Sequence, residues 1–316
     1  MYEPGFFADR FPALAPLVWH LNAGFLFRAM GMLPVENQLS SRPLRSLAHS
    51  LEAIHGDLSL DTVLNPDIVS RLPGSPRLLS DVRTPRFGAA AHETIKLGHL
   101  QEPYRREMLT LTRAQVDADV AEIVRIVRAG STFYINPEGT YSLDGRMHPL
   151  KGILTHVAPH ATVMLLAVAY DPLRPGRLGM LYRTLLPANP HDIAHSLAAA
   201  RPVTASALFA ADLDARGDSS FSAEDVATGF LARLRTLPSA AFVDPELAAA
   251  PEDAARALFA QSLRRGIVVA EGDAFRRGAP QGDPRFPGVS DMVAYQAAFL
   301  DETVAALQIL AGGANA

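Results

Sequence analysis

NPEGTYSLDGRMHPLKG, residues 136–152, is the stretch that decides how this chain is interpreted. It follows an apolar run, Phe133–Ile135, which predicts a short buried strand. The strand is expected to stop at Pro137, because proline cannot donate a hydrogen bond to a β-ladder. A strand followed at once by a polar turn is typical of the ligand-binding edge of an α/β sheet.

The residues after the proline predict what this turn presents. The chain turns at Gly139 and places Glu138, Thr140 and Ser142 at the carboxyl end of the strand. A carboxylate and two hydroxyls around a glycine can orient a polyol. A surface turn whose Thr140 and Ser142 only cap the next segment explains the same residues. Spacing alone leaves both interpretations open.

The whole stretch resembles the third signature block of the glycerolipid acyltransferase superfamily, which includes lysophosphatidate and glycerol-3-phosphate acyltransferases. In that family the block reads roughly [FY]-P-E-G-T-R-S, then an Asp-Gly turn, then P-[FL]-K. The matching positions here are Pro137, Glu138, Gly139, Thr140, Ser142, Asp144, Gly145, Pro149 and Lys151. Upstream, Gly31–Asn37 resembles the second block, G-x-x-[PF]-[VI]-[DE]-R, except that Asn37 replaces the arginine.

The resemblance implies transfer of an acyl group to a lipid or polyol hydroxyl in (phospho)lipid metabolism. The donor would be acyl-CoA or acyl carrier protein, used as a co-substrate, with no further cofactor and no metal. The substrate-binding residues implied are Glu138, Gly139, Thr140, Ser142 and Lys151. The family's arginines clamp an acceptor phosphate, since guanidinium suits phosphate oxygens. Asn37 and Tyr141 stand in those positions here, which indicates an acceptor other than a phosphorylated glycerol.

The catalytic base stays unidentified in the sequence. The family uses a histidine in an H-x-x-x-x-D block, and none of the ten histidines here is followed by an aspartate at that spacing. Either the block lies upstream of Met1, or the chain is a diverged member without it. His20, His55 and His92 are candidate substitutes, although their spacing recommends none of them. An O-acyltransferase is favoured, and the alternative is a non-catalytic relative that binds acyl chains, lipid or a protein partner.

Composition excludes several other classes of function. The 316 residues carry a net charge of -4, which argues against a nucleic-acid partner held by bulk electrostatics. The chain has no cysteine, which excludes disulfides and thiolate chemistry. No secretory signal and no run of about 20 apolar residues is seen, so a cytoplasmic protein is expected. The apolar helix predicted around Leu14–Phe25 is either core or a peripheral contact with the inner membrane face.

The resemblance and the hydrophobic patterns together predict an α/β fold. Residues 1–190 should form a layered mixed sheet with flanking helices, in which 131–135 and 163–170 lie side by side; failure to pair would argue against the family assignment. Residues 38–110 are a predicted insertion, either a lid or a dimer contact. Residues 191–316 should form a mainly helical extension with a β-hairpin, resembling a winged helix. Further elements are predicted at 44–54, 112–130, 150–158, 178–186, 252–265, 267–277 and 290–310. Two helix starts are also predicted, at the capping-box pair Thr112 and Gln115 and at the cap Ser222–Asp225.

Overall fold

The computed structural model describes four ranges of the chain: 40–138, 142–176, 178–187 and 192–313. The chain divides after Ser131 into two compact units, each with a hydrophobic core of its own. The boundary near residue 190 that the sequence suggested therefore falls inside the second unit. The predicted insertion belongs to the first unit, and its described residues contribute to that unit's core.

The first unit is built from short helices, one long helix and a small antiparallel ladder. Its elements are β1 (Ser41–Pro43), α1 (Leu44–His55), α2 (Leu60–Val63), α3 (Pro66–Val69), α4 (Gly88–Ala91), β2 (Thr94–Lys96) and α5 (Tyr104–Arg128). The helix predicted at 44–54 is confirmed by α1, whose Leu44, Leu47 and Leu51 are almost fully buried. These positions recur at helical spacing and so form one face, which packs into the core.

Helix α5 begins eight residues before the start that the sequence predicted. Thr112 and Gln115 form a capping-box pattern, but both lie inside the helix, so that prediction is wrong. Thr112 is fully buried, and Gln115 donates a side-chain hydrogen bond to Asp119 at 2.7 Å. The predicted stop at Gly130 is confirmed, since Gly130 has a φ of +87°, a conformation that glycine adopts without strain.

The second unit combines helices with two antiparallel hairpins, so the chain is mixed α/β. Its elements are α6 (Ile153–Val157), β3 (Leu165–Asp171), β4 (Gly179–Leu185), α7 (Ile193–Ala200), α8 (Ala205–Arg216), α9 (Ala223–Arg235), α10 (Pro245–Ala249), α11 (Pro251–Arg265), β5 (Val268–Glu271), β6 (Ala274–Arg277) and α12 (Met292–Gly313). Helix α8 is the centre of the core, where it packs against α9, α11 and α12. Its Phe209 is completely buried.

The predicted sheet is wrong in the described residues. Strand β3 pairs with β4 in antiparallel register, from Leu165 opposite Leu185 to Asp171 opposite Gly179, which confirms the strand predicted at 178–186. Residues 131–136 belong to no ladder, and Tyr134 is 77% exposed. The three described sheets each have two strands, so 131–135 and 163–170 do not pair. The layered sheet implied by the resemblance is therefore not formed within the described residues, which counts against the family assignment.

The elements predicted after residue 200 are confirmed. Ser222 caps α9 in a reciprocal capping box with Asp225. Helix α11 ends at Gly266, which takes the left-handed conformation. Strands β5 and β6 form the predicted hairpin, and α12 matches the final predicted helix. None of the helices within the described ranges combines the length and the apolar character needed to cross a bilayer.

Candidate functional site

The described residues of 136–152 form a loop that two hydrogen bonds close. The backbone N–H of Lys151 donates to the carbonyl of Pro137 at 2.8 Å. The backbone N–H of His148 donates to the Glu138 carboxylate at 2.9 Å. We call the described residues of this stretch, 137–138 and 142–151, the signature loop. Its glutamate therefore has a definite structural role, because one of its oxygens holds the two arms of the loop together.

Asp144 organises the tip of the signature loop. Its Oδ1 accepts a hydrogen bond from the backbone N–H of Arg146 at 3.0 Å and one from the Ser142 hydroxyl at 2.8 Å. These two bonds, the Arg146 bond first, lower the pKa of Asp144 below its ordinary value. The same Oδ1 lies 3.6 Å from Nε2 of His148, an ion-pair distance longer than a hydrogen bond. An ionised carboxylate beside an imidazole favours the tautomer with its proton on Nε2.

The loop is anchored on helix α12 through a close backbone contact. Gly145 has a φ of +79°, and a Cβ there would lie 2.1 Å from the carbonyl oxygen of Tyr295. Glu302 of α12 accepts from the backbone N–H of Met147 at 2.7 Å and from the buried guanidinium of Arg201 at 2.6 Å. Only glycine satisfies both the backbone conformation and the close approach, so the Asp-Gly turn is fixed by packing as well as by turn geometry.

The structure brings three of the five predicted substrate-binding residues together. Glu138, Ser142 and Lys151 lie in the signature loop, whereas Gly139 and Thr140 lie outside the described residues. Ser142 is only 8% exposed and donates to Asp144, so its hydroxyl stabilises the loop. Lys151 contributes its backbone N–H to loop closure.

The predicted strand end is absent, so this site is a closed loop and not the edge of a sheet. Four further sequence features that bore on function, His20, Asn37, Tyr141 and the helix around 14–25, also lie outside the described ranges.

Three described histidines lie beside carboxylates. The sequence had suggested only one of them, His55, as a candidate catalytic base. His55 of the first unit contacts Glu107 at 2.6 Å. In the second unit, His195 Nδ1 contacts Asp192 at 2.7 Å, and His148 faces Asp144.

Of the three, only His148 belongs to the signature loop. The family pattern does not indicate His148, because it places the aspartate after the histidine. The partner here precedes His148 by four residues, a D-x-x-x-H spacing that the sequence displays. His92, the remaining described candidate, follows α4 in the first unit.

An apolar surface covers one face of the β3–β4 hairpin. Side chains alternate between the two faces of a ladder, and the outward positions carry Leu166 and Tyr170 on β3 with Met180 and Tyr182 on β4. These side chains are 40% to 67% exposed. The continuous apolar run at 163–170 predicts a strand buried on both faces, but the alternation shows that only one face is buried. We call these four residues the hairpin face.

Comparison of the chain with models of protein families, with curated proteins and with solved structures finds no match. Among the residues that the structure describes, no three His, Asp or Glu side chains are grouped as ligands for a metal ion. The candidate site therefore has to be judged on the chemistry of the signature loop itself.

Proposed function

We propose that this protein transfers an acyl group from an acyl-CoA or acyl carrier protein thioester to a hydroxyl of a lipid or polyol. The observation that carries the proposal is the Asp144–His148 pair inside the signature loop, beside Glu138. The resemblance of this loop to the glycerolipid acyltransferase block supports the same chemistry. Because the sheet that the resemblance implies is not formed in the described residues, the rest of the fold does not support the proposal. The proposal therefore rests on the signature loop alone.

His148 is the general base of the proposed reaction. With Asp144 facing Nε2, the Nδ1 atom of His148 is left to accept the proton of the acceptor hydroxyl. The hydroxyl oxygen attacks the thioester carbonyl carbon as that proton leaves, since a neutral hydroxyl is a weak nucleophile. The tetrahedral intermediate collapses to the ester and expels the thiolate, which takes the proton from the imidazolium.

The acceptor is an unphosphorylated hydroxyl compound. The positions at which the family places its phosphate-binding arginines carry Asn37 and Tyr141 in this sequence. Neither side chain has the positive charge or the N–H donors on two separate nitrogens with which arginine binds a phosphate. A monoacylglycerol therefore suits this chain better than lysophosphatidate does.

The test is an acyl-transfer assay on the full chain, with labelled palmitoyl-CoA and either a monoacylglycerol or lysophosphatidate. His148→Gln removes the base and should lower turnover by about 10²–10⁴-fold. His195→Gln is the matched control, because it removes an equally exposed histidine paired with an aspartate in the same unit. Turnover that survives His148→Gln, or that prefers lysophosphatidate, contradicts the assignment.

A second candidate function is lipid binding without transfer, and the hairpin face favours it. Contiguous exposed apolar side chains mark contact with a membrane or another protein. In a vesicle flotation assay, Met180→Glu combined with Tyr182→Glu should reduce binding, since charge on this face opposes burial in lipid. Ile54→Glu, at a similarly exposed apolar position in the first unit, is the control. Vesicle binding by a wild-type chain that transfers no acyl group selects this candidate over the first.

A further inference from the structure

A cavity separate from the signature loop lies in the second unit, next to the end of strand β3. Its volume is about 430 Å³, within the range of about 300–1,000 Å³ that small-molecule sites occupy. The end of β3 and the turn after it form one side, and helices α10 and α11 form the other. Leu247, Ala254 and Leu258 give it apolar walls.

Asp171 lines this cavity and has an oxygen without a described partner. Its side chain is 1% exposed. Oδ1 accepts hydrogen bonds from both the backbone N–H and the hydroxyl of Ser206, whereas the buried Oδ2 accepts none from the described residues. Buried polar atoms are nearly always hydrogen-bonded, so an orphaned carboxylate oxygen calls for an explanation. Burial also raises the pKa of Asp171, because the hydrogen bonds from Ser206 and the charge of Arg174 offset the loss of hydration only in part.

The charged residues around the cavity determine whether it favours a cationic or an anionic ligand. Asp244, Glu246 and Asp253 add three carboxylates to the lining, and Arg174 is the single basic residue among the described residues that line it. The Arg174 guanidinium is already engaged by Glu246. Asp253 is paired in turn with Arg256, so the charges of Asp171 and Asp244 remain uncompensated. The potential inside the cavity is therefore negative, which opposes an anion and attracts a cation.

We propose that this cavity binds a primary alkylammonium ligand. The ammonium group donates to Oδ2 of Asp171, and the alkyl body lies against Leu247 and Leu258. One free carboxylate oxygen with apolar walls matches a cation that carries its own hydrocarbon. Asp244 has a separate structural task, because its Oδ1 caps α10 by accepting from the Glu246 N–H at 2.9 Å.

The ligand chemistry is shared by free alkylamines and by the lysine side chains of peptides. The size of the cavity does not distinguish these two sources, so the experiment uses one probe for each. Hexylamine represents the free amine, and a short lysine-containing peptide represents the side chain. Hexanol has the same hydrocarbon without the charge, and Mg²⁺ has charge without the hydrocarbon.

The experiment is isothermal titration of the full chain at pH 8 with these four probes. Hexylamine should bind at least about tenfold more tightly than hexanol or Mg²⁺, and tighter binding of the peptide would identify lysine as the source. Asp171→Asn should weaken amine binding at least about tenfold, because it removes the charge and keeps an acceptor for Ser206. Asp301→Asn, an exposed carboxylate on α12 outside the cavity lining, should leave it unchanged.

A second variant covers the case in which Asp171→Asn does not fold. Ala257 is an exposed residue of the cavity lining on α11, so Ala257→Phe fills the mouth and leaves the core intact. This variant should also weaken amine binding about tenfold or more. The proposal is overturned if hexanol or Mg²⁺ binds as tightly as hexylamine. It is equally overturned if no amine binds at millimolar concentration, or if Ala257→Phe and a folded Asp171→Asn both bind hexylamine like the wild type.

Discussion

Replacing Asp283 with asparagine should destabilise the second unit and leave the first unaffected. Asp283 is 5% exposed and lies between two arginines. Arg285 binds it through two side-chain hydrogen bonds of 2.6 and 2.9 Å, and Arg265 adds one of 3.0 Å. Both arginines also donate to the carbonyl of Pro172, immediately after Asp171. Asp283 thus holds the guanidinium groups that fix the end of strand β3.

The magnitude follows from the pKa of Asp283. Its hydrogen bonds with Arg285, with smaller effects of the charges of Arg285 and Arg265, lower this pKa from 3.8 to about 2. At about 1.4 kcal/mol per pKa unit, the carboxylate contributes about 2 kcal/mol to the free energy of unfolding at neutral pH. Because the pKa of Asp283 is lower in the folded state, its carboxylate stabilises the fold fully at pH values above 3.8, the pKa in the unfolded chain. This stabilisation is lost as the pH falls towards 2. The difference in the free energy of unfolding between the wild type and Asp283→Asn should become smaller over the same pH interval.

Hydrogen exchange followed by mass spectrometry can measure this change in each unit separately. At pH 7, a loss of about 2 kcal/mol should accelerate exchange through global opening of the second unit by about 30-fold. The effect should be seen in peptides from α11 and α12, with helix α5 as the internal reference. Asp253→Asn is the matched control, because its ion pair with Arg256 is exposed and such pairs contribute little. Unchanged exchange in α11 and α12 of Asp283→Asn would refute the reasoning.

Two further predictions concern the signature loop. Gly145→Ala should undock the loop from α12 and destabilise the second unit by more than Gly176→Ala, as measured by thermal unfolding. Both glycines have positive φ, but a Cβ at Gly176 meets no atom of the described residues within 4 Å. Equal losses of stability in the two variants would show that the contact with Tyr295 is unimportant. Glu138→Gln should keep most acyl-transfer activity, because its amide oxygen still accepts from the His148 N–H, while Glu138→Ala should lose much more. Equal activity of these two variants would contradict the loop-closing role of Glu138.

The sequence by itself determined the elements that depend on neighbouring residues. Ser222 and Asp225 specify the start of α9 through bonds made within one turn of helix. Gly266 ends α11, because it alone adopts the left-handed conformation there without strain. The hairpin of β5 and β6 needs only the tight turn between its strands. In each case the stabilising contact lies a few residues away in the chain, so the pattern carries the information.

The tertiary structure decided the features whose partners are distant in sequence. Phe133–Ile135 has the composition of a strand, yet a strand forms only where a second strand offers its backbone, and none of the described strands pairs with it. Thr112 looks like a cap, but burial of Met108 carries helix α5 past it towards the N-terminus. The free oxygen of Asp171 depends on the position of Ser206 on another element. Packing sets these outcomes, because a local pattern cannot specify which distant surface will cover it.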